Sequence, residues 1–118
     1  MTADRDPDCL FCRIVAGEIP SDRVLEDDDV VAFRDVNPQA PTHVLVVPRR
    51  HVPDVDTLAD DDAGLLPSLF TAVRRVAELE NLSKGYRVVT NVGAESGQSV
   101  FHLHLHVLGG RRMEWPPG

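Results

Sequence analysis

The segment Phe101-His102-Leu103-His104-Leu105-His106-Val107-Leu108 constrains this chain more than any other. Its polar and apolar residues alternate strictly, which predicts a β-strand over 102–108 with three imidazoles on one face and Phe101, Leu103, Leu105 and Val107 on the other. The apolar face then belongs to a core. Same-face side chains along a strand lie about 6.5–7 Å apart, a spacing suited to a row of contacts with one phosphate-sized group. Imidazole can act as nucleophile, proton carrier or metal ligand near neutral pH. Three accounts of the row are open. It is a solvated strand face, which a mixture of Lys, Thr, Glu and Ser would serve better; a three-histidine zinc site, for which end residues about 13 Å apart along the strand fit poorly; or the centre of phosphoryl chemistry, with the middle imidazole attacking phosphorus.

The remaining pattern supplies a framework for that strand. Leu10, Phe11, Ile14 and Val15 follow helical spacing, predicting a short helix over 9–17 stopped at Gly17. Val24–Glu26 and Val30–Phe33 flank Asp27-Asp28-Asp29 and read as a hairpin with a solvated tip. His43–Val47 is a β-branched strand ended by Pro48. Leu65, Leu66, Leu69, Phe70, Val73, Val76 and Ala77 predict the main helix within 60–80; Pro67 argues that its regular part starts later than the aspartates. Tyr86–Val92 is the remaining strand, followed by a loop rich in Gly and Ser. The expected fold is α+β, a five-stranded antiparallel sheet with one long and one short helix.

Size and charge narrow the function. The 118 residues suit a single domain spanning 1–118, with 1–8 flexible and 109–118 forming a C-terminal tail. Twelve basic against nineteen acidic residues give a net charge of −7, which disfavours nucleic acid or an anionic membrane as partner but leaves a small anionic ligand open. No stretch is long and apolar enough to span a membrane, and the start lacks an apolar leader core, so a cytoplasmic location is expected. Cys9-x-x-Cys12 is half of a tetrahedral zinc site, a redox pair or two core thiols.

The row His102-Leu103-His104-Leu105-His106-Val107-Leu108 resembles the His-φ-His-φ-His-φ-φ signature of the histidine triad (HIT) superfamily. Three further collinear stretches, Phe33–His43, Val46–His51 and Gly97–Phe101, together with the ending Gly109–Gly118, are similar to its Hint-like branch. The resemblance implies a homodimer, joined through the long helix and a strand edge, that hydrolyses purine nucleoside phosphoramidates through a nucleotidyl-histidine intermediate. By that likeness His104 is the nucleophile; His106 bonds the phosphate and leaving-group region; Ser99 sits beside the leaving group; His43 supports the row; and the His102 carbonyl holds the His104 tautomer. It further implies that Leu10, Phe11, Ile14 and Phe33 wall the base, that Asp35 and Val36 hold the ribose, and that Asn91, Gly97, Gln98, Ser99 and Val100 contact phosphate and ribose, with the tail near the active site. Cys9, Cys12, His51 and His102 are the implied ligands of a structural zinc ion, with no catalytic cofactor. Alternatives are a dinucleoside polyphosphate hydrolase, or a nucleotide-binding module with vestigial hydrolysis. Phe11, Ile14 and Phe33 also serve as plain core, Asp35, Asn91 and Ser99 as turn residues, and His51 as a surface histidine.

Overall fold

The computed structural model describes residues 5–118; residues 1–4 of the stretch expected to be flexible lie outside the described residues. Five strands, β1 (Arg23–Glu26), β2 (Val30–Arg34), β3 (Thr42–Pro48), β4 (Tyr86–Val89) and β5 (Leu105–Gly109), form one sheet in the order β1-β2-β3-β5-β4 with every neighbour antiparallel. Helix α1 spans Leu10–Val15 and helix α2 spans Leu65–Leu79. This is the expected α+β architecture.

The alternation within the strands divides the interior into two layers. Val30, Ala32, Val44, Val46, Leu105 and Val107 face α2, where they meet Leu69, Ala72, Val73 and Val76. Val31, Phe33, Leu45 and Val47 face the other way, onto Phe11 and Ile14 of α1. Every residue of β3 is buried, because this central strand is covered on both sides. Its β-branched run therefore carries no solvent-facing position. The imidazole face of β5 looks toward α1, so the row is roofed rather than solvated.

Several boundaries differ from those expected, each for a local reason. Helix α2 starts at Leu65, so Pro67 is its third residue, where no backbone N–H is needed. The aspartates form a separate 3-10 turn, Asp60–Asp62, in which Asp62 accepts a bond from the Ala59 N–H (2.9 Å) and pairs with Arg50. The acidic tip at 27–29 is an Asx turn rather than a merely solvated one: Asp27 Oδ1 accepts from the N–H groups of Asp29 and Val30, both at 2.8 Å. Strands β4 and β5 are shorter than the predicted 86–92 and 102–108, and both lose the same end. Beyond Val46, the last β3 residue paired with β5, the ladder stops. Pro48 has no N–H to offer there, and its carbonyl lies 2.8 Å from His102 Nε2. The 101–104 segment turns away, donating from Leu103 N–H to the Val52 carbonyl at 2.6 Å.

One ion pair joins the sheet to α2. Arg34 grips the Glu80 carboxylate with both guanidinium nitrogens, Nη1 to Oε1 at 2.6 Å and Nη2 to Oε2 at 3.0 Å. Those bonds hold the Glu80 carboxyl below its ordinary pKa despite its partial burial. A depressed carboxyl contributes stability that is present above the unfolded-state pKa and is lost as pH falls through the folded one. Glu80→Gln is thus expected to cost about 1 kcal/mol at neutral pH, a figure moderated by the exposure of Arg34. The difference from wild type should vanish well below pH ~4, as urea unfolding at several pH values will show.

Candidate active site

A cavity of about 610 Å³ opens between α1, the ends of β2 and β5, and the 99–100 loop. Its size is that of a small-molecule site. Leu10, Phe11, Ile14, Phe33 and Val100 supply apolar wall, Asp35 and Val36 flank one side, and Ser99, His104 and His106 line another. The Phe11 ring meets Phe33 edge-on (centroids 5.5 Å apart) and His104 edge-on (5.1 Å), so the same aromatic ring braces the core and confines the imidazole. His104 and His106 converge to 5.0 Å between centroids, closer than regular strand spacing, because His104 lies just outside β5.

Hydrogen bonds define the tautomer of each ring. His104 Nδ1 lies 2.7 Å from the His102 carbonyl and must carry the proton, leaving its Nε2 as a lone pair. The Gln39 N–H donates to His43 Nδ1 at 3.0 Å, so neutral His43 carries its proton on Nε2, which lies 2.9 Å from His106 Nδ1. His106 therefore bears its own proton on Nε2. Asp35 Oδ2 lies 3.4 Å from His43 Nε2, in reach of the same proton. Burial lowers the pKa of His43, His104 and His106, the last to about 4 with the neighbouring rings of His104 and His43 adding to the effect. Neutral rings at pH 7 thus present an unprotonated nitrogen on His104 beside an N–H donor on His106. Asp35, His43 and His106 also offer oxygen and nitrogen atoms close enough for a cation, but the proton shared between the two rings already accounts for that approach.

The loop expected to hold phosphate is built around Gln98. Its buried side-chain amide accepts from the Gly93 N–H (2.9 Å) and donates to the carbonyls of Pro53 (2.9 Å) and Val100 (3.1 Å). Gly93 and Gly97 take φ of +87° and +106°, values costly for other residues, and a side chain added at Gly97 would come within 4.0 Å of Asn91 Nδ2. Asn91, Gly97 and Gln98 are not among the cavity-lining residues, and neither is any residue of the 109–118 tail. The tail instead follows β4, where the Arg87 guanidinium bonds the Glu114 carbonyl (2.8 Å) and lies over the Trp115 ring. Gln98→Ala removes three buried bonds and is expected to cost about 2–3 kcal/mol in denaturant unfolding, with faster amide exchange across 93–100. Sequence reasoning missed two participants, the Gln39 N–H and the Thr90 hydroxyl, which donates to the His104 carbonyl at 2.9 Å. Neither carries a motif; Asn37-Pro38 marks the turn that brings Gln39 back to His43, but the donor there is a backbone N–H that any residue would carry.

Beneath the cavity lie Cys9, Cys12, His51 and His102, with one ligand atom from each within 4.8 Å of all the others. The Nδ1 atoms of His51 and His102 are 3.3 Å apart; Cys12 Sγ is 3.3 Å from the former and 3.5 Å from the latter; Cys9 Sγ is 3.4 Å from His102. A tetrahedral Zn²⁺ with ordinary bond lengths has N–N edges of roughly 3.3 Å and S–N edges of roughly 3.5 Å. The donor set fits zinc. His102 gives its Nε2 proton to Pro48, which leaves the Nδ1 lone pair facing the other three ligands, as an outer hydrogen bond to a metal-bound imidazole does. Burial, helped by the neighbouring rings of His51 and His104, pushes His102 down to about 4, and burial is the main force raising the Cys12 thiol to about 11, so a cation would replace a costly neutral cluster by paired thiolates. Asp6, just before α1, donates its N–H to Cys12 Sγ at 3.4 Å.

The fold and this geometry define a class: a five-stranded α+β domain with a nucleotide-sized cleft lined by complementary imidazole tautomers. Residues 16–113 match the HIT domain family, and the chain belongs to that family. An uncharacterized HIT-like protein of Synechococcus elongatus is 47% identical over 111 residues, covering 94% of this chain and 97% of that protein. A HIT family hydrolase from Legionella pneumophila superposes with a TM-score of 0.91 at 49% identity, covering 94% of this chain and all of that one. A HIT family hydrolase from Clostridium thermocellum gives 0.90 at 43%, covering 92% and 96%. No helix among the described residues is long and apolar enough to cross a membrane.

Proposed function

We infer that the protein is a Hint-like hydrolase of purine nucleoside phosphoramidates. The observation that carries this reading is the pairing of a free His104 Nε2 lone pair with a His106 Nε2–H at the wall of one nucleotide-sized cavity. An apolar wall at Leu10, Phe11, Ile14 and Phe33 suits a flat base, and the Asp35 carboxylate suits ribose hydroxyls. His104 Nε2 attacks phosphorus as the P–N bond breaks; the amine leaves with a proton taken from water, while the His106 Nε2–H hydrogen-bonds the phosphate and leaving-group region. Water then cleaves the nucleotidyl-histidine, releasing the nucleoside monophosphate. Splitting the displacement replaces one difficult step by two easier ones. The His102 carbonyl steadies the positive charge that His104 gains on attack, because its Nδ1–H already points there.

The HIT family hydrolases among the similar structures support a hydrolytic role. In this reading Cys9, Cys12, His51 and His102 hold a structural zinc ion, which would tie the start of α1 to the strand end carrying the histidines and takes no part at phosphorus. A homodimer through α2 and the β4 edge is supported by the exposed Leu66, Phe70 and Leu79 on α2 and Tyr86 on the edge strand. The test is turnover of an adenosine 5′-phosphoramidate against diadenosine polyphosphates. Preference for the first by kcat/KM is expected; a preference for the second would transfer the protein to the polyphosphate hydrolases.

A further inference from the structure

The basic residues of this chain are unevenly neutralised. All eight arginines from Arg5 to Arg75 pair with a carboxylate. Among the described residues, the other four cations, Lys84, Arg87, Arg111 and Arg112, have no such partner, although acidic residues outnumber basic ones nineteen to twelve. These four gather at one end of the molecule, where Lys84, Arg111 and Arg112 line a cleft of about 590 Å³ between the α2–β4 turn and the segment after β5.

The cleft is lined by no carboxylate and no aromatic ring. Asn81, Ser83 and the backbone of Gly85 and Gly110 complete it, with Leu82 as its one apolar side chain. Glu78, in the adjoining helical turn, is held by Arg74 at 2.9 Å. Its walls are also fixed. A side chain on Gly109 would meet Leu82 at 2.7 Å and one on Gly110 would meet Pro41 at 2.9 Å, so the two glycines let the chain pass close against both neighbours. Arg111 is anchored beyond them by its Nε–H bond to the Gln39 carbonyl at 3.2 Å.

We propose that this cleft is a binding site for a compact polyphosphate chain, gripped by Lys84, Arg111 and Arg112. Guanidinium and ammonium groups converging without competing carboxylates recognise oxygen-rich, multiply charged anions. With no aromatic ring and Leu82 as its one apolar side chain, the lining offers no stacking surface for a base. The net charge of −7 does not oppose it, because distant charges are screened over about 8 Å in physiological salt. The site is separate from the His104 cavity and does not depend on the function proposed for it.

Inorganic triphosphate, titrated into the full chain at low salt and followed by amide chemical shifts, is the test. Shifts at 81–85 and 110–112 are expected, with affinity falling about tenfold in the Lys84→Gln/Arg112→Gln double variant and falling again with added salt. Lys84→Arg/Arg112→Lys, which keeps both charges, should bind as wild type does. ATP should shift the same cleft amides as triphosphate, which identifies the phosphate chain as the element recognised; cleft shifts with ATP but not triphosphate would overturn the proposal. No shift at millimolar triphosphate, shifts confined to 93–100 and the histidine row, or undiminished binding in the double glutamine variant would also overturn it.

Discussion

Replacing His104 by alanine is expected to lower kcat on adenosine 5′-phosphoramidate by at least about ten-thousandfold, because the nucleophile and its intermediate disappear together. AMP should still bind, since the apolar wall and the 93–100 loop remain. The fold should tolerate the change, losing about 1 kcal/mol for the bond to the His102 carbonyl and the ring contact with Phe11. His106→Ala should lose less, about a hundred- to thousandfold, as it supplies hydrogen bonds to the phosphate and leaving group rather than the attacking atom. Steady-state kinetics beside AMP calorimetry separates these outcomes. Equal turnover by wild type and His104→Ala would leave a nucleotide-binding module.

The second large effect concerns the Cys/His cluster. Purified protein is expected to carry one zinc ion per chain by elemental analysis, and Cys12→Ser to abolish it. Metal loss should destabilise the fold by several kcal/mol, because an ion held there would cross-link α1 to the His51 loop and to His102. Cys12 to serine also leaves a polar group in a buried thiol position. A folded, metal-depleted sample should nevertheless turn over within a few-fold of the loaded one, since His104 Nε2 and His106 Nε2 face the cavity and not the cluster. Abolished turnover in a folded apo sample would instead assign the metal to the chemistry.

The elements most legible in the sequence were those whose pattern follows directly from burial. Val44–Val47 is buried on both faces and reads as a continuous β-branched run; Leu69, Val73 and Val76 face one side of the sheet and read as a helix. The histidine row is legible as a candidate site, yet its environment is not: strict alternation suggests one wet face, whereas α1 roofs it, and an isolated strand pattern cannot say what lies above it. The shortened ends of β4 and β5 depend on Pro48 meeting His102 across 54 positions, a non-local event. Cys9-x-x-Cys12 was ambiguous alone; His51 and His102 converge on it only once the loop after β3 bonds Leu103 through Val52. The tautomers of His43 and His106 were beyond sequence altogether, because the backbone N–H of Gln39 orders them.

The proposed chemistry turns on a covalent intermediate at one nitrogen. An adenosine 5′-phosphoramidate turnover quenched in alkali within its first cycles, digested and analysed by mass spectrometry should yield the 101–108 segment carrying one adenylyl group, with fragmentation assigning it to His104. The same experiment on His104→Ala should show no adduct. An adenylyl group on His106 or Ser99, or active wild-type enzyme with no trapped adduct at any quench time, would contradict it.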